Sequence, residues 1–288
     1  MEQLTQQNLL DAGVHFGHLK KKWNPKMLPY IYNERKGIHI IDLNKTVENL
    51  DTCSQALKQI AKSGRKILFV ATKKQAKDIV KECAKKLNMP FVTERWLGGM
   101  LTNFNTVRRS VKKMNSIEKL LSDGSADSLT KKEKLIYTRD KDKLESVLGG
   151  IANITRLPSA IFLVDIGHEH IALAEAKKLG IVTFGIVDTN CDPNKVDYPI
   201  PANDDATKSI ELIITYITNA ILEGLTERQA QREDEEVEDI NNENEIKAKQ
   251  LEEAAQADSV KSNKKSSQGN SGNSKSNAAP RKNYYRKK

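Results

Sequence analysis

Cysteines and long apolar runs are scarce in this 288-residue chain, and each scarcity excludes a class of protein. The three cysteines, Cys53, Cys83 and Cys191, are odd in number and are not paired at metal-ligand spacing. This excludes a disulfide-stapled secreted domain and fits reduced thiols in the cytosol, so we expect each cysteine to be a small buried hydrophobe. No apolar run approaches the ~20 residues of a membrane span, and the first residues lack the pattern of a signal peptide. We therefore expect neither membrane insertion nor export.

Hydrophobic residues are also few, at 38% of the chain, where ordinary globular domains have roughly 45 to 50%. The deficit lies at the C-terminus. Residues 225–258 contain 12 acidic and 4 basic residues, and residues 259–288 contain 9 basic residues, no acid and mainly Ser and Asn. Such a composition buries too little apolar surface to offset chain entropy. We predict an acidic, partly helical extension over 225–258 and a disordered basic tail over 259–288.

The charge balance is basic overall, with 47 Lys and Arg against 38 Asp and Glu and a pI near 9.2. Residues 1–224 alone carry a formal charge of +8. A basic folded region favours a polyanion as the partner.

Short apolar runs alternate with helical patterns within residues 1–224, which is typical of a parallel sheet covered by helices on both faces. The predicted strands are Ile38 to Asp42, Ile67 to Ala71, Phe91 to Thr93, Ala160 to Asp165 and Ile181 to Val187. Later helices are predicted over 168–179, closed by the left-handed cap of Gly180, and over 207–222. The pattern predicts a doubly wound, flavodoxin- or Rossmann-like α/β domain built from residues 1–103, with an N-terminal arm, and residues 149–224. Its sheet is expected to be mostly parallel and five-stranded.

Residues 104–148 interrupt this alternation, because they carry no strand signal. Apolar residues recur there at spacings of 4, 3, 3 and 4, namely at Val107, Val111, Met114, Ile117 and Leu121. A turn is predicted at 123–125, a capping box at Thr130 to Glu133, and a returning apolar stripe at Leu129, Ile136, Leu144 and Val147. We predict an inserted, projecting αα coiled-coil hairpin. Its many Lys and Arg side chains fit a solvated helix face and phosphate contact equally well.

The carboxyl ends of the predicted strands are the first place to search for a ligand site. The residues after the second strand, Thr72 to Gln75, contain neither glycine-rich phosphate motif, and the pair Gly98 and Gly99 is a weak anion signal. Six aspartates near strand ends suggest a hard-cation site, but Asx turns and a helix cap at 203–205 are favoured over it. They are Asp165, Asp188, Asp192, Asp197, Asp204 and Asp205. The histidine pairs at 15–18 and 168–170 lack further ligands at suitable spacing, so we expect no metal, no nucleophile and no cofactor.

What remains is a mixture of cations and flat rings near the N-terminus, a composition suited to phosphate contact and base stacking. An equally good interpretation of Trp23 and Tyr30 is that their rings pack the N-terminal arm onto the sheet. The lysines are therefore the better candidates for contact with RNA. The predicted RNA-binding residues are Lys20, Lys21, Lys22, His18, Lys73, Lys74, Arg95, Arg108, Arg109, Lys112 and Lys113.

Eight motifs in collinear order resemble the bacterial S-two family of small-subunit ribosomal proteins over about residues 4–224. They are 12–18, 23–27, 37–43, 72–76, 95–104, 143–145 with 148–150, 188–193 and 197–201. The resemblance implies a three-layer α/β/α domain with a coiled-coil hairpin, bound to small-subunit (16S) ribosomal RNA and to other small-subunit proteins, including S-one. It implies no catalysis, no small-molecule substrate, no membrane and no homo-oligomer, and a place in the cytoplasmic ribosome. The C-terminal extension has no counterpart in the resemblance.

A second hypothesis is an enzyme or regulator that binds a phosphorylated small molecule at the carboxyl edge of the sheet. The missing glycine-rich cradle argues against it. Sedimentation with ribosomal subunits at low salt would separate the two hypotheses.

Overall fold

The fold is given by a computed structural model that describes residues 5–122 and 130–233. The chain divides into units 1–231 and 232–288, and both sheets belong to the first. The predicted turn at 123–125, Leu129, most of the acidic extension and the whole basic tail lie outside the described residues.

The N-terminal arm forms a small antiparallel sheet of its own. After helix α1 (Gln6–Asp11) come β1 (Phe16–Leu19), two short 3-10 turns, β2 (Ile31–Arg35) and β3 (Ile38–Ile41), in the spatial order β1-β3-β2. The turns, Lys20–Lys22 and Pro25–Tyr30, fill the loop between β1 and β2.

The main sheet has five strands, all parallel to their neighbours. They are β4 (Ile67–Val70), β5 (Phe91–Val92), β6 (Ala160–Val164), β7 (Val182–Val187) and β8 (Tyr198–Pro201), in the spatial order β5-β4-β6-β7-β8. Every residue of β4 and β6 is buried, as expected of central parallel strands covered on both faces. The strand order reverses between β4 and β6, which defines a doubly wound sheet and its switch point.

Helices cover both faces of this sheet. These are α2 (Leu43–Lys62), α3 (Lys77–Lys86), α6 (His170–Lys178) and α7, residues 207–233. Alternate residues of β4 divide between two apolar clusters: Phe69 packs with residues of α2, α3 and α7, and Leu68 packs with residues of α6. The predicted left-handed glycine after α6 is confirmed, since Gly180 has φ +66°.

Two helices occupy the segment predicted as an insertion, α4 (Phe104–Ser122) and α5 (Lys131–Leu148). Val111, Met114 and Ile117 of the predicted seam are buried, and the capping box between Thr130 and Glu133 is formed. Ile136 was predicted to belong to the apolar stripe of the second helix. This prediction is wrong, because Ile136 is 48% exposed. The helices are joined by an ion pair between Lys141 Nζ and Glu118 Oε1 at 2.9 Å.

Two strand predictions need correction. The run Ile38 to Asp42 was expected in the parallel sheet, but among the described strands β3 pairs with β1 and β2 alone. Asp42 instead caps α2 by accepting from the Asn44 amide at 3.0 Å. The fifth parallel strand is β8, which the sequence analysis missed because two of its four residues are prolines. Proline lacks an N–H and is confined to edge strands, the position that β8 occupies.

The helix α7 continues through position 224, where the predicted α/β domain ends. Leu225 packs against the core, and Glu227 Oε1 lies 2.7 Å from Lys58 Nζ of α2. The compact unit therefore includes the first turns of the predicted extension.

Candidate functional site

The carboxyl edge of the main sheet gathers a cluster of charged side chains around Lys73. Its Nζ atom lies 2.7 Å from Asp165 Oδ2, 2.8 Å from Asp204 Oδ1 and 2.8 Å from Asp205 Oδ1. Burial lowers the pKa of Lys73, but the hydrogen bonds that its ammonium donates to Asp165, Asp204 and Asp205 outweigh this effect and raise the pKa above its usual value. The ammonium group of Lys73 is therefore fully engaged inside the protein.

His18 brings the N-terminal arm to the same cluster. Its Nδ1 lies 2.9 Å from Asp188 Oδ2, and its Nε2 lies 3.4 Å from Asp205 Oδ2. The hydrogen bond with Asp188 raises the pKa of His18 although burial opposes it. The His18 amide also donates to Thr189 Oγ1 at 2.8 Å, and a Cβ on Gly17 would lie 2.5 Å from Thr189 Cγ2. The arm thus lies in close contact with the end of β7.

Asp204 is the least compensated member of the cluster. Its side chain is fully buried, and burial together with repulsion from Asp188 and Asp165 raises its pKa to about 7, against the opposing effect of Lys73. Among the described residues, its Oδ2 atom has no hydrogen-bond partner.

The predicted turns and caps account for only part of these aspartates. Asn203 Oδ1 accepts from the amides of Asp205 and Ala206 before α7, and Asp192 Oδ1 accepts from the Asn194 amide, as predicted. The rule that ligands bind at the carboxyl ends of parallel strands had drawn attention to these aspartates. What the sequence did not predict is that Lys73 and His18 pair with them, because these partners are brought together only by the order of the strands and the position of the arm.

The loop at Gly98 and Gly99, which gave a weak signal for an anion site, already binds a carboxylate of the protein itself. Glu175 of α6 accepts from the amides of Gly99, Leu101 and Thr102 at 2.7 to 3.0 Å and from Trp96 Nε1 at 3.1 Å. Burial would raise the pKa of Glu175, but these hydrogen bonds lower it below the usual value. The loop is therefore shaped by an internal carboxylate.

These two features disfavour a phosphate ligand at the described carboxyl edge. Four aspartates surround Lys73 and His18, so the local field repels anions, and the glycine loop is taken by Glu175. The hypothesis of a site for a phosphorylated small molecule has no support in this geometry.

Most of the predicted RNA-binding residues lie at the surface instead. Apart from Lys20, eight of them are exposed, on the arm, after β4 and β5 and on the first half of α4: Lys21, Lys22, Lys74, Arg95, Arg108, Arg109, Lys112 and Lys113. None of these eight forms a salt bridge with another residue of the described ranges. Lys20 is exposed as well, but its Nζ lies 2.5 Å from Glu34 Oε2.

The aromatic residues of the arm divide between packing and exposure. The Trp23 ring lies 5.1 Å from the His39 ring, and Tyr30 packs against the apolar cluster under α6. Phe16 and Tyr32 are 46% and 76% exposed. Trp23 and Tyr30 therefore fit the interpretation that they pack the arm onto the sheet, whereas the exposed rings of Phe16 and Tyr32 are available for stacking on RNA bases.

A basic recess at the opposite, amino edge of the sheet was not predicted from the sequence. A cavity of about 770 Å³ is lined there by Arg65, Lys66, Lys85 and Arg156, among others. Its residues come from three separate segments, so spacing alone gave no signal. Among the described residues, no helix is both long and apolar enough to span a bilayer.

Comparisons with known proteins give one consistent result. A family model described as Ribosomal protein S2 matches residues 9–224. A small ribosomal subunit protein uS2 from Cytophaga hutchinsonii is 61% identical over 233 residues, which are 81% of this chain and 92% of the relative. Proteins of the same name from Parabacteroides distasonis and Flavobacterium johnsoniae are 56% and 60% identical over 249 and 231 residues. These alignments cover 86% and 80% of this chain and 90% and 91% of the two relatives.

Proposed function

The chain belongs to the ribosomal protein S2 family, and on that premise we propose which of its surfaces contact the other components of the small ribosomal subunit. The protein is a structural constituent of that subunit in the cytoplasmic ribosome, acts in translation and is not an enzyme. The resemblance noted in the sequence is thereby confirmed.

We propose that the exposed cations of the arm, of the ends of β4 and β5 and of α4 bind phosphates of small-subunit ribosomal RNA. The observation that carries this is their lack of internal salt bridges within the described residues, whereas Lys20 and Lys73 are ion-paired. The RNA-binding set is accordingly Lys21, Lys22, Lys74, Arg95, Arg108, Arg109, Lys112 and Lys113. His18 and Lys73, which were in the predicted set, are left out because they serve the internal charge cluster.

The double variant Lys21→Ala with Lys22→Ala tests this assignment by the salt dependence of binding to small-subunit RNA. Each lost phosphate contact reduces the slope of log K against log salt by about 0.7 to 0.9, so the double variant should lower it by roughly 1.4 to 1.8. The matched control is Lys177→Ala with Lys178→Ala, which removes the same charge from two exposed neighbours on α6. A slope equally reduced in both double variants would indicate a general charge effect and overturn the assignment.

We further propose that α4 and α5 form the coiled-coil hairpin expected of the family and act as a docking arm. The buried seam of Val111, Met114 and Ile117 and the ion pair between Glu118 and Lys141 support an antiparallel pair. The predicted division into an α/β domain, an insertion at 104–148, an acidic extension and a basic tail stays a proposal.

Contacts with neighbouring small-subunit proteins, S-one among them, are proposed for the apolar surface of the N-terminal arm. Leu19, Leu28 and Tyr32 there are 53%, 65% and 76% exposed. Isolated apolar side chains are ordinary at a surface, but three on one small arm fit a protein contact. Cross-linking from residue 28 on assembled subunits should capture a protein, and capture of RNA alone would contradict it. The isolated chain is expected to sediment as a monomer.

A further inference from the structure

The basic recess at the amino edge of the main sheet is formed by three segments of the chain. They are the turn after α2, the end of α3 with the turn before β5, and the segment between α5 and β6. Four of the lining residues are cations, Arg65, Lys66, Lys85 and Arg156, and none of the described residues that line it is acidic. A cleft that carries charge of one sign focuses its field, so the basic recess attracts anions.

The cations of the basic recess are not neutralised inside the described part of the chain. Arg65, Lys85 and Arg156 are exposed and form no salt bridge with another described residue. Lys66 Nζ donates to the Asn88 carbonyl at 2.9 Å, a neutral acceptor that leaves the charge of the lysine uncompensated. All four are therefore free to pair with an anion from outside.

The lining of the basic recess also contains apolar residues. Met89, the partly buried Phe91 and Leu157, which is 43% exposed, all belong to it. Gly150 stands directly against Phe91, because a Cβ there would overlap the Phe91 carbonyl oxygen and lie within 3 Å of the ring. The segment after α5 can thus approach β5 closely, and an aromatic residue lies at the junction of two of the three walls.

Polar side chains complete the lining. Asn153, Thr155 and Ser159 belong to it, and their side chains make no hydrogen bond within the described ranges. Amides and hydroxyls of this kind can bind the edge of a nucleotide base. The volume of about 770 Å³ lies in the range of sites for one small ligand and is too small for a duplex.

We propose that the basic recess binds one unstacked nucleotide of single-stranded RNA. Its phosphates lie against Arg65, Lys85 and Arg156, and its base packs on the apolar lining near Phe91. Sites for single strands combine these two features, cations along the backbone and a ring for a base. This contact rests on the proposed function, RNA binding in the small subunit, and uses residues outside the RNA-binding set assigned there.

Photo-cross-linking of the full-length chain with a hexauridylate that contains 4-thiouridine tests the proposal. In the wild type the cross-link should map to the tryptic peptide 87–95, which contains Met89 and Phe91. Labelling of this peptide at increasing RNA concentration gives the affinity of the basic recess itself, separately from other contacts of the chain.

The double variant Lys85→Ala with Arg156→Ala removes two of the proposed phosphate contacts. The slope of log K against log salt for labelling of peptide 87–95 should fall by about 1.4, since each contact on a single strand contributes about 0.7. The matched control Lys81→Ala with Lys178→Ala removes the same charge from exposed lysines of α3 and α6 that do not line the recess. Its slope should equal that of the wild type.

The variant Thr155→Trp fills the basic recess without changing its charge. Thr155 is exposed, so the fold should tolerate the substitution. Labelling of peptide 87–95 should weaken at least about fivefold, the effect of losing one stacked base. The variant Lys21→Ala with Lys22→Ala should still be labelled there, so failure of the recess and failure of the proposed arm contacts are distinguishable.

Competitors identify the class of ligand. Unlabelled hexauridylate should displace the probe, whereas a blunt RNA duplex, free UMP and hexaglutamate should compete much more weakly. Equal competition by UMP would assign the basic recess to free nucleotides, and equal competition by hexaglutamate would assign it to acidic peptides. Either result would overturn the proposal. So would the absence of a cross-link to peptide 87–95, or equal labelling of the wild type, Thr155→Trp and the Lys85 and Arg156 double variant.

Discussion

At the scale of single residues, buried carboxylates shape the surfaces at the carboxyl edge of the sheet. Glu175 is 8% exposed and accepts five hydrogen bonds from Trp96 and the loop 99–102. This loop ends two residues before α4 begins at Phe104, so Glu175 anchors the chain next to the start of α4. The sequence offered only a glutamate in an amphipathic helix, and its partners lie more than 70 positions away in the chain. Its role could not be predicted from spacing.

We predict that Glu175→Gln lowers the free energy of unfolding by about 2 to 4 kcal/mol, because an amide NH₂ would face buried donors. Urea denaturation measures this. The control Glu94→Gln changes an exposed glutamate paired with Lys77 and should stay within about 0.5 kcal/mol of the wild type. Equal stabilities of Glu175→Gln and the control would contradict the assigned role.

The difference between wild type and Glu175→Gln should depend on pH with a defined sign. Hydrogen bonds lower the pKa of Glu175 in the folded protein. Its stabilisation is therefore complete above the unfolded pKa, roughly 4.3, and is lost as the pH falls through the lower folded pKa. We expect the two proteins to converge in stability towards the acid end of the range, and a gap that widens on acidification would be inconsistent with this account.

The three cysteines are buried and free, as predicted. Burial raises the pKa of Cys53 and of Cys191 to about 12. At pH 8 only about one such thiol in 10,000 is thiolate, so reaction with a disulfide reagent should be far slower in the native chain than in urea. Rapid labelling of Cys53 or Cys191 in the folded protein would contradict the described burial.

At the scale of elements, the strands that are buried along their whole length were predicted from the sequence. Strands that form for other reasons were misplaced or missed. Continuous apolar runs identified β4, β6 and β7, because strands buried on both faces need them. The run in β3 is equally apolar, and nothing local distinguishes a small antiparallel sheet from the parallel one. The prolines of β8 concealed a strand that depends on its neighbour β7 for pairing.

The α4 and α5 pair has a packed base and a more distant part, and this division gives a prediction. Val111 and Leu148 belong to the apolar cluster under α6, whereas residues beyond the middle of the pair do not. Replacing residues 116–143 by a short Gly-Ser bridge should leave a domain that still unfolds cooperatively but enters small subunits poorly. Thermal melting and subunit reconstitution measure the two effects. Loss of cooperative melting would show that the removed part stabilises the fold.

At the scale of the whole molecule, the paired and the unpaired charges have different places. The aspartates that pair with Lys73 and His18 follow β6, β7 and β8, whereas the cations of the proposed RNA-binding set, which have no salt bridge in the described ranges, lie on the arm, after β4 and β5 and on α4. Composition predicted the overall basic character and a polyanion partner, and the motifs predicted the family. Composition could not tell that Lys73 and His18 are ion-paired and Lys74 is not, because pairing depends on which strand ends become neighbours.

The C-terminal charges, which lie outside the described residues and beyond the family match, give the last prediction. Ending the chain after Asp258 removes nine cations and leaves 38 basic and 38 acidic residues, whereas ending it after Glu233 leaves 36 and 28. Because RNA affinity at moderate salt follows the cations available to phosphates, the chain ending at 258 should bind RNA most weakly of the three. Removing the acidic stretch as well should restore binding.

If the chain ending at 258 binds as tightly as the full chain, the basic tail neither contacts RNA nor neutralises the acidic stretch. If the chain ending at 233 binds more weakly than the full chain, the tail contributes direct contacts to RNA.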